Sequence, residues 1–237
     1  MGKNLIQQAR GKGGPRYRAP SFRYKGESKY TKYGEETLSG KIIDLVHCRG
    51  HSAPLAQIEY GDGSMVLIQA PEGVRVGDKV EMGVKIDVKK GNVIPLKNIP
   101  EGIAIYNLEA LPGDGGKFVR ASGGFAKIIT KMKDKVVVEL PSAKRRVFLP
   151  ECRATIGVIA GSGRKEKPFL KAGERYYAMK ARNKLWPQVS GTSMNAVDHP
   201  FGGSSSAVKG GPTQSSRNAP PGAKVGKIAP KRTGKRR

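Results

Sequence analysis

The chain has 237 residues and a formal net charge of +25, from 44 Lys and Arg against 19 Asp and Glu. Apolar residues make up 37%, with 32 Gly and 16 Pro, so the chain can bury one large core or, fitting better, two small ones, with much of its length left as loop, turn or extended arm. The opening MGKNLIQQARGKGG lacks the apolar run of a secretory signal, Ile6 stands where a myristoylation start wants Ser or Thr, and no apolar run is long enough for a bilayer.

Cys48 and Cys152 are the only cysteines, too few to staple a secreted scaffold of this size, which points to a cytoplasmic home. The basic charge sits at the two ends. Residues 1–33 carry nine Lys or Arg and one acid, Glu27; residues 175–237 carry thirteen and one acid, Asp198. The stretch between them contributes only +5. Cationic arms on a near-neutral body suit a polyanion, because neutralising phosphates releases condensed counterions. Nucleic acid is the expected partner.

Residues 1–36 form a basic aromatic extension. Arg10, Lys12, Arg16, Arg18, Arg23 and Lys25 are interleaved with Tyr17, Phe22 and Tyr24, the mixture of guanidinium and aromatic faces on which single-stranded or irregular RNA stacks. The segment has no apolar period from which to build a core of its own. The alternative is that its rings pack back on the body, most readily Tyr30 and Tyr33.

Residues 37–107 predict a five-stranded barrel of the oligonucleotide-binding type. KIIDLV, APLAQIEY and SMVLIQA are short and rich in β-branched residues, and Gly61-Asp62-Gly63 reads as a hairpin loop. Further short strands are expected in PEGVRVGDKVEMGVKIDVKKGN. Residues 108–171 predict an SH3-like barrel from FVRAS, AKIITKM, KVVVEL, RRVFLP and TIGVIAG. The fold class is therefore mostly β. In residues 172–237, Ala172–Trp186 reads as a short helix stopped by Pro187. Beyond it Gly, Pro and Ser supply twenty-one of fifty-one residues, an arm in place of a domain. Arg182, Trp186, Met194, Asn195, Asp198, His199, Arg217, Lys224, Lys227, Lys231, Arg232 and Lys235 are its candidate RNA contacts.

Enzyme signatures fail on inspection. Leu111–Lys117 ends like a phosphate loop, but Leu111 replaces its first Gly and Phe118 stands where a Mg²⁺-binding Ser or Thr belongs. Asp198 and His199 are neighbours in sequence, so their side chains diverge and one cannot orient the other as a base. His47, Cys48 and His51 are metal-ligand types, yet zinc wants four ligands and the last would have to be Cys152, from another β unit. No cofactor or metal is expected. From Met194 to Gly203, the glycines allow close backbone approach and positive φ while Pro200 restricts His199; a plain chain-reversing turn is the alternative.

Three segments carry a family resemblance: Asn98–Gly102 continuing to Asn107–Gly116, Arg153–Gly163, and Gly191–Gly203 with its MNAVDHP core. Together they resemble the universal ribosomal large-subunit protein two family, in its archaeal and eukaryotic branch, and Ser216–Arg237 resembles the archaeal tail. The resemblance covers essentially the whole chain. It implies the two barrels with extensions threaded into large-subunit rRNA, neighbouring ribosomal proteins and the small subunit as partners, a place at the subunit interface, a tail running toward the peptidyl transferase region, and peptide-bond chemistry left to the RNA. One departure is Ser204-Ser205-Ser206, where the family usually continues with Gly and a short His-rich patch; contacts of that patch cannot be carried over. The rival readings are a general single-strand RNA-binding module and an RNA-processing factor.

Overall fold

A computed structural model describes residues 6–31, 37–164, 166–204 and 213–231, with the side chains of residues 6 and 7 left aside. The chain divides into two compact units, Ser21–Leu170 and Met1–Pro20 with Lys171–Arg237.

The architecture of the first of these is β. Aliphatic runs between glycine-rich turns form β1 (Leu38–Val46), β2 (Leu55–Tyr60), β3 (Met65–Gln69), β4 (Lys79–Met82), β5 (Val93–Pro95), β6 (Ala104–Tyr106), β7 (Ala126–Lys131), β8 (Val136–Glu139), β9 (Arg145–Phe148) and β10 (Arg153–Ile156). They join in one hydrogen-bonded order, β3-β2-β1-β4-β5-β10-β6-β7-β8-β9. Pairing is antiparallel except for β4 with β5. Period-two burial appears where one face meets a core: Ala56, Ile58 and Tyr60 point inward on β2, as do Val136 and Val138 on β8. The Gly61–Gly63 turn closes the β2–β3 hairpin, with Asp62 accepting from the Ser64 N–H at 2.9 Å and its hydroxyl at 2.6 Å.

Two apolar clusters lie under this order. One gathers Ile42, Ala56, Ile58, Tyr60, Ile68, Val80, Met82 and Val93 with Tyr30. The other gathers Ile94, Leu96, Ile99, Ile105, Leu108, Ile128, Val136, Val138, Phe148, Cys152 and Ile156. The last strand, β10, returns between β5 and β6, with Ala154 opposite Ile94 and Ile156 opposite Ile105. All four of its residues are buried: Ala154 and Ile156 belong to the second apolar cluster, while Arg153 and Thr155 bond to Glu109 and Tyr30.

Several expected elements differ. FVRAS forms no strand: Phe118 makes one isolated bridge to Leu108, and Val119 turns at φ 53°. Within PEGVRVGDKVEMGVKIDVKKGN only Lys79–Met82 is a strand, because Gly73, Gly77 and Gly91 take positive φ and interrupt the extended chain. The N-terminal extension also supplies a core residue, since the Tyr30 ring is buried; Tyr33 lies outside the described residues.

The other unit contains α1 (Ile6–Gly11), α2 (Ala172–Ala181), and a two-residue parallel pair, β11 (Gln214–Ser215) with β12 (Lys227–Ile228). The arm after Pro187 is thus partly tied together by its own backbone. Helix α2 ends at Ala181, before the expected Trp186. Asn183 turns at φ 54°, and the N–H groups of Arg182, Asn183 and Lys184 fold back on the Met179 and Lys180 carbonyls. Among the described residues no helix is long and apolar enough to cross a membrane.

Candidate RNA-binding surface

The N-terminal extension is held from Tyr24 onward. The Tyr24 ring lies against Gly50, where a Cβ would stand 2.6 Å from it, and meets His51 edge-on with ring centroids 6.5 Å apart. Ser28 pairs with Leu67 on the edge strand β3, and Arg120 donates to the Ser28 carbonyl at 2.6 Å. The Tyr30 hydroxyl donates to the Asn107 carbonyl at 2.7 Å and shares a hydrogen bond of 2.6 Å with Thr155. Ahead of this anchor, Phe22 is 82% exposed with the Arg23 guanidinium 5.4 Å from its ring centroid; Lys25 is exposed too. These rings and cations stand out from the β unit on a short 3-10 turn, Ser21–Arg23.

In the other unit Arg10, Lys12, Arg16 and Arg18 are exposed and Tyr17 is half-buried. Arg217, Lys224, Lys227 and Lys231 are exposed, and Arg182, Trp186 and Met194 are half-buried. Arg232 and Lys235, with Ser205 and Ser206, lie outside the described residues. Three ion pairs form among the described residues: Lys29–Glu27, Lys89–Asp87 and Arg153–Glu109. All belong to the β unit. The described cations of the terminal unit form no ion pair with a described carboxylate.

The segment Gly191–Gly203 closes on itself. Asn195 O accepts from the Asp198 N–H at 2.9 Å and the His199 N–H at 3.2 Å, His199 O accepts from Gly202 at 2.9 Å, and Met194 O accepts from Gly203 at 3.1 Å. The His199 ring is pressed on Gly191, where a Cβ would overlap it, and Gly202 leaves the same absence of room beside the Met194 and Asn195 carbonyls. The Phe201 N–H donates to His199 Nδ1 at 3.1 Å. That bond requires an unprotonated Nδ1, so the neutral ring carries its proton on Nε2. Phe201 is buried and packs on Gly226 of the tail. Asn195 and Asp198 stay exposed on the loop's rim. A shaped knob results, with a histidine whose Nδ1 is spent on geometry.

The two chemical candidates are held by their own surroundings. In Leu111–Lys117, Asp114 accepts from the N–H groups of Ala110, Leu111 and Gly116, and Glu109 accepts from Gly115 at 3.1 Å. Donors that a phosphate loop would offer its ligand are taken by carboxylates. Cys48 is buried, its Sγ 3.1 Å from His51 Nδ1; burial, then the Arg120 charge, lowers the His51 pKa. Cys152 belongs to the second apolar cluster. Among the described residues no three His, Cys, Asp or Glu side chains gather as a metal site.

With the glycine loop and the terminal cations in view, similarity to known proteins is decisive. Residues 89–224 match the family model described as Ribosomal Proteins L2, C-terminal domain. The large ribosomal subunit protein uL2 of Methanothermobacter thermautotrophicus is 53% identical over 241 residues, covering all of both chains. Those of Methanococcus aeolicus, 51% identical, and Archaeoglobus fulgidus, 52% identical, also match over the full length of both. The chain belongs to the uL2 family. The family resemblance read from the three glycine-rich segments is therefore correct.

Sequence reasoning missed residues that build this uL2-family surface. Arg120 and the Glu109–Arg153 pair hold the extension to the body, and no local pattern marks them, because their partners are distant in sequence. Tyr176, Tyr177 and Arg175 on α2 were also passed over, although the YY pair beside alternating cations was there to be read.

Proposed function

We propose that the chain is a structural component of the large ribosomal subunit that binds large-subunit rRNA alongside neighbouring ribosomal proteins. Full-length identity to archaeal uL2 proteins carries this reading, and the terminal cations without described carboxylate partners supply its physics. Two barrels, one of the oligonucleotide-binding type over residues 37–107 and one SH3-like over residues 108–171, give a rigid base. The extensions, residues 1–36 and 172–237, neutralise phosphate. Arg10, Lys12, Arg16, Arg18, Arg23, Lys25, Arg217, Lys224, Lys227, Lys231, Arg232 and Lys235 make backbone contacts that position the protein. Tyr17, Phe22 and Tyr24 stack. Met194, Asn195, Asp198 and His199 present the knob, supporting subunit association and the peptidyl transferase region.

The experiment is affinity of the full chain for in vitro transcribed large-subunit rRNA across a salt series. Truncations removing residues 1–24 or 216–237 weaken binding and flatten the salt dependence, as fewer counterions are released. An unchanged slope would move the electrostatic footprint onto the barrels. Equal affinity for arbitrary RNA would favour a general single-strand-binding module.

A further inference from the structure

Helix α2 is ten residues long and buries none of them. A helix of that length is marginal by itself in water, and most helices in proteins are stabilised by packing one face. Glu174 sits in the first turn and Lys180 in the last, matching the helix dipole, while the N-cap residue, Lys171, makes no capping side-chain bond. It is a helix without a core.

Its side chains say what covers it. Tyr176 and Tyr177 are 44% and 71% exposed, with ring centroids 5.5 Å apart and planes at 82°, so two large flat faces are offered in nearly perpendicular directions. Consecutive helical positions lie about 100° apart, which makes the pair unsuited to the single seam that a partner helix would bury. The Arg175 guanidinium lies 5.6 Å from the Trp186 ring centroid and steadies a third, half-exposed aromatic. Around them stand Lys171, Lys180, Arg182 and Lys184, against Glu174 alone. The complement of such a surface is an anion that also carries flat apolar faces.

We propose that α2 and Trp186 form a stacking platform for unpaired bases, so that this part of the chain docks on an RNA loop or bulge and not on duplex. Resting on the rRNA-binding reading above, this names the kind of RNA structure engaged there. A-form duplex keeps its bases stacked on one another and offers phosphates and 2′-hydroxyls, whereas loops can splay bases onto aromatic rings. The surrounding cations attract either form; only the rings discriminate.

Trp186 is the single tryptophan of the chain, so its emission reports on the platform without labelling. With the full chain, oligoadenylate and in vitro transcribed large-subunit rRNA quench that emission, while a blunt-ended RNA duplex binds with much less quenching. Tyr177→Ala weakens affinity for oligoadenylate by about fivefold or more with an unchanged salt slope, because stacking releases no counterions, and Tyr177→Phe restores it. Equal quenching by duplex, or a neutral Tyr177→Ala in a chain that still binds rRNA with its full salt slope, would overturn the platform and leave the rRNA-binding function standing. Failure of the wild-type chain to bind rRNA at all would remove both.

Discussion

The Arg153 guanidinium and the Glu109 carboxylate meet at 2.7 Å with side chains 5% and 0% exposed. Arg153 lies on β10, between β5 and β6, and Glu109 stands just before the glycine-rich loop. Glu109 also accepts from the Arg153 N–H at 2.9 Å and the Gly115 N–H at 3.1 Å, and the guanidinium also donates to the Thr31 carbonyl at 3.2 Å. A buried pair offsets its desolvation only when its remaining polar atoms are satisfied in this way. Either Glu109→Gln or Arg153→Met strands a buried partner and lowers unfolding free energy by about 3–5 kcal/mol. The double variant Glu109→Gln/Arg153→Met, which keeps an acceptor for the Arg153 and Gly115 N–H groups, recovers a large part of that loss, read from urea unfolding of the full chain. A double variant as unstable as either single one would show that the pair positions the loop and does more than cancel its own charge.

How far the sequence reveals this molecule depends on whether a residue's partner is local. β2, β3, β7 and β8 were legible because short runs rich in apolar and β-branched residues, bounded by turn residues, announce a strand. FVRAS looked the same by composition, but the glycines around it let the chain turn at Val119. That Tyr30 packs back on the body was legible as an alternative from its place near the end of the arm, but its partners were not, since the Asn107 and Thr155 groups that it bonds stand 77 and 125 residues away. His199 was recognisable from its Gly and Pro neighbours; that its ring rests on Gly191 and accepts from Phe201 required the fold.

Tyr30 supplies the second prediction. Its hydroxyl is donor to Asn107 O and partner to Thr155 Oγ1, and burial holds the phenol protonated far above its ordinary pKa. Tyr30→Phe keeps the ring but leaves both oxygens one partner short, a loss of about 1–3 kcal/mol. Amide exchange at Tyr30, whose N–H donates to the Gly115 carbonyl at 3.1 Å, then accelerates. Unaltered exchange and stability would mean that ring packing alone anchors the extension.

Alkaline pH gives the third. Burial pushes the Cys152 thiol up to about 11, while an unfolded thiol ionises near about 8.5. Because the folded pKa is raised, the stabilisation is complete below the unfolded value and is lost as pH rises through the folded one. The urea midpoint should fall between about pH 8.5 and 11, and Cys152→Ala should remove part of that fall. Below this window the folded thiol resists iodoacetamide and the urea-unfolded thiol reacts. Rapid alkylation of Cys152 in the folded chain near neutrality would contradict its burial.

His199 decides whether the Gly191–Gly203 knob is a shaped object or a reactive one. Nδ1 accepts from the Phe201 N–H, and the ring fills the space left by Gly191, so geometry already occupies the nitrogen that a neighbouring carboxylate would have to engage in a relay. His199→Gln retains a side-chain acceptor for Phe201 and removes the imidazole titration. His199→Ala removes the acceptor and opens a void beneath the loop. Exchange of the Phe201 and Gly202 amides is therefore expected to rise modestly in the Gln variant and strongly in the Ala variant. Gly191→Ala, whose Cβ would overlap the imidazole and drive Nδ1 away from the Phe201 N–H, should resemble His199→Ala. Ribosomes assembled with His199→Gln should keep the wild-type pH dependence of peptide-bond formation. Loss of one ionisation from that profile, in particles with intact structure, would assign the imidazole a chemical role and defeat the structural one.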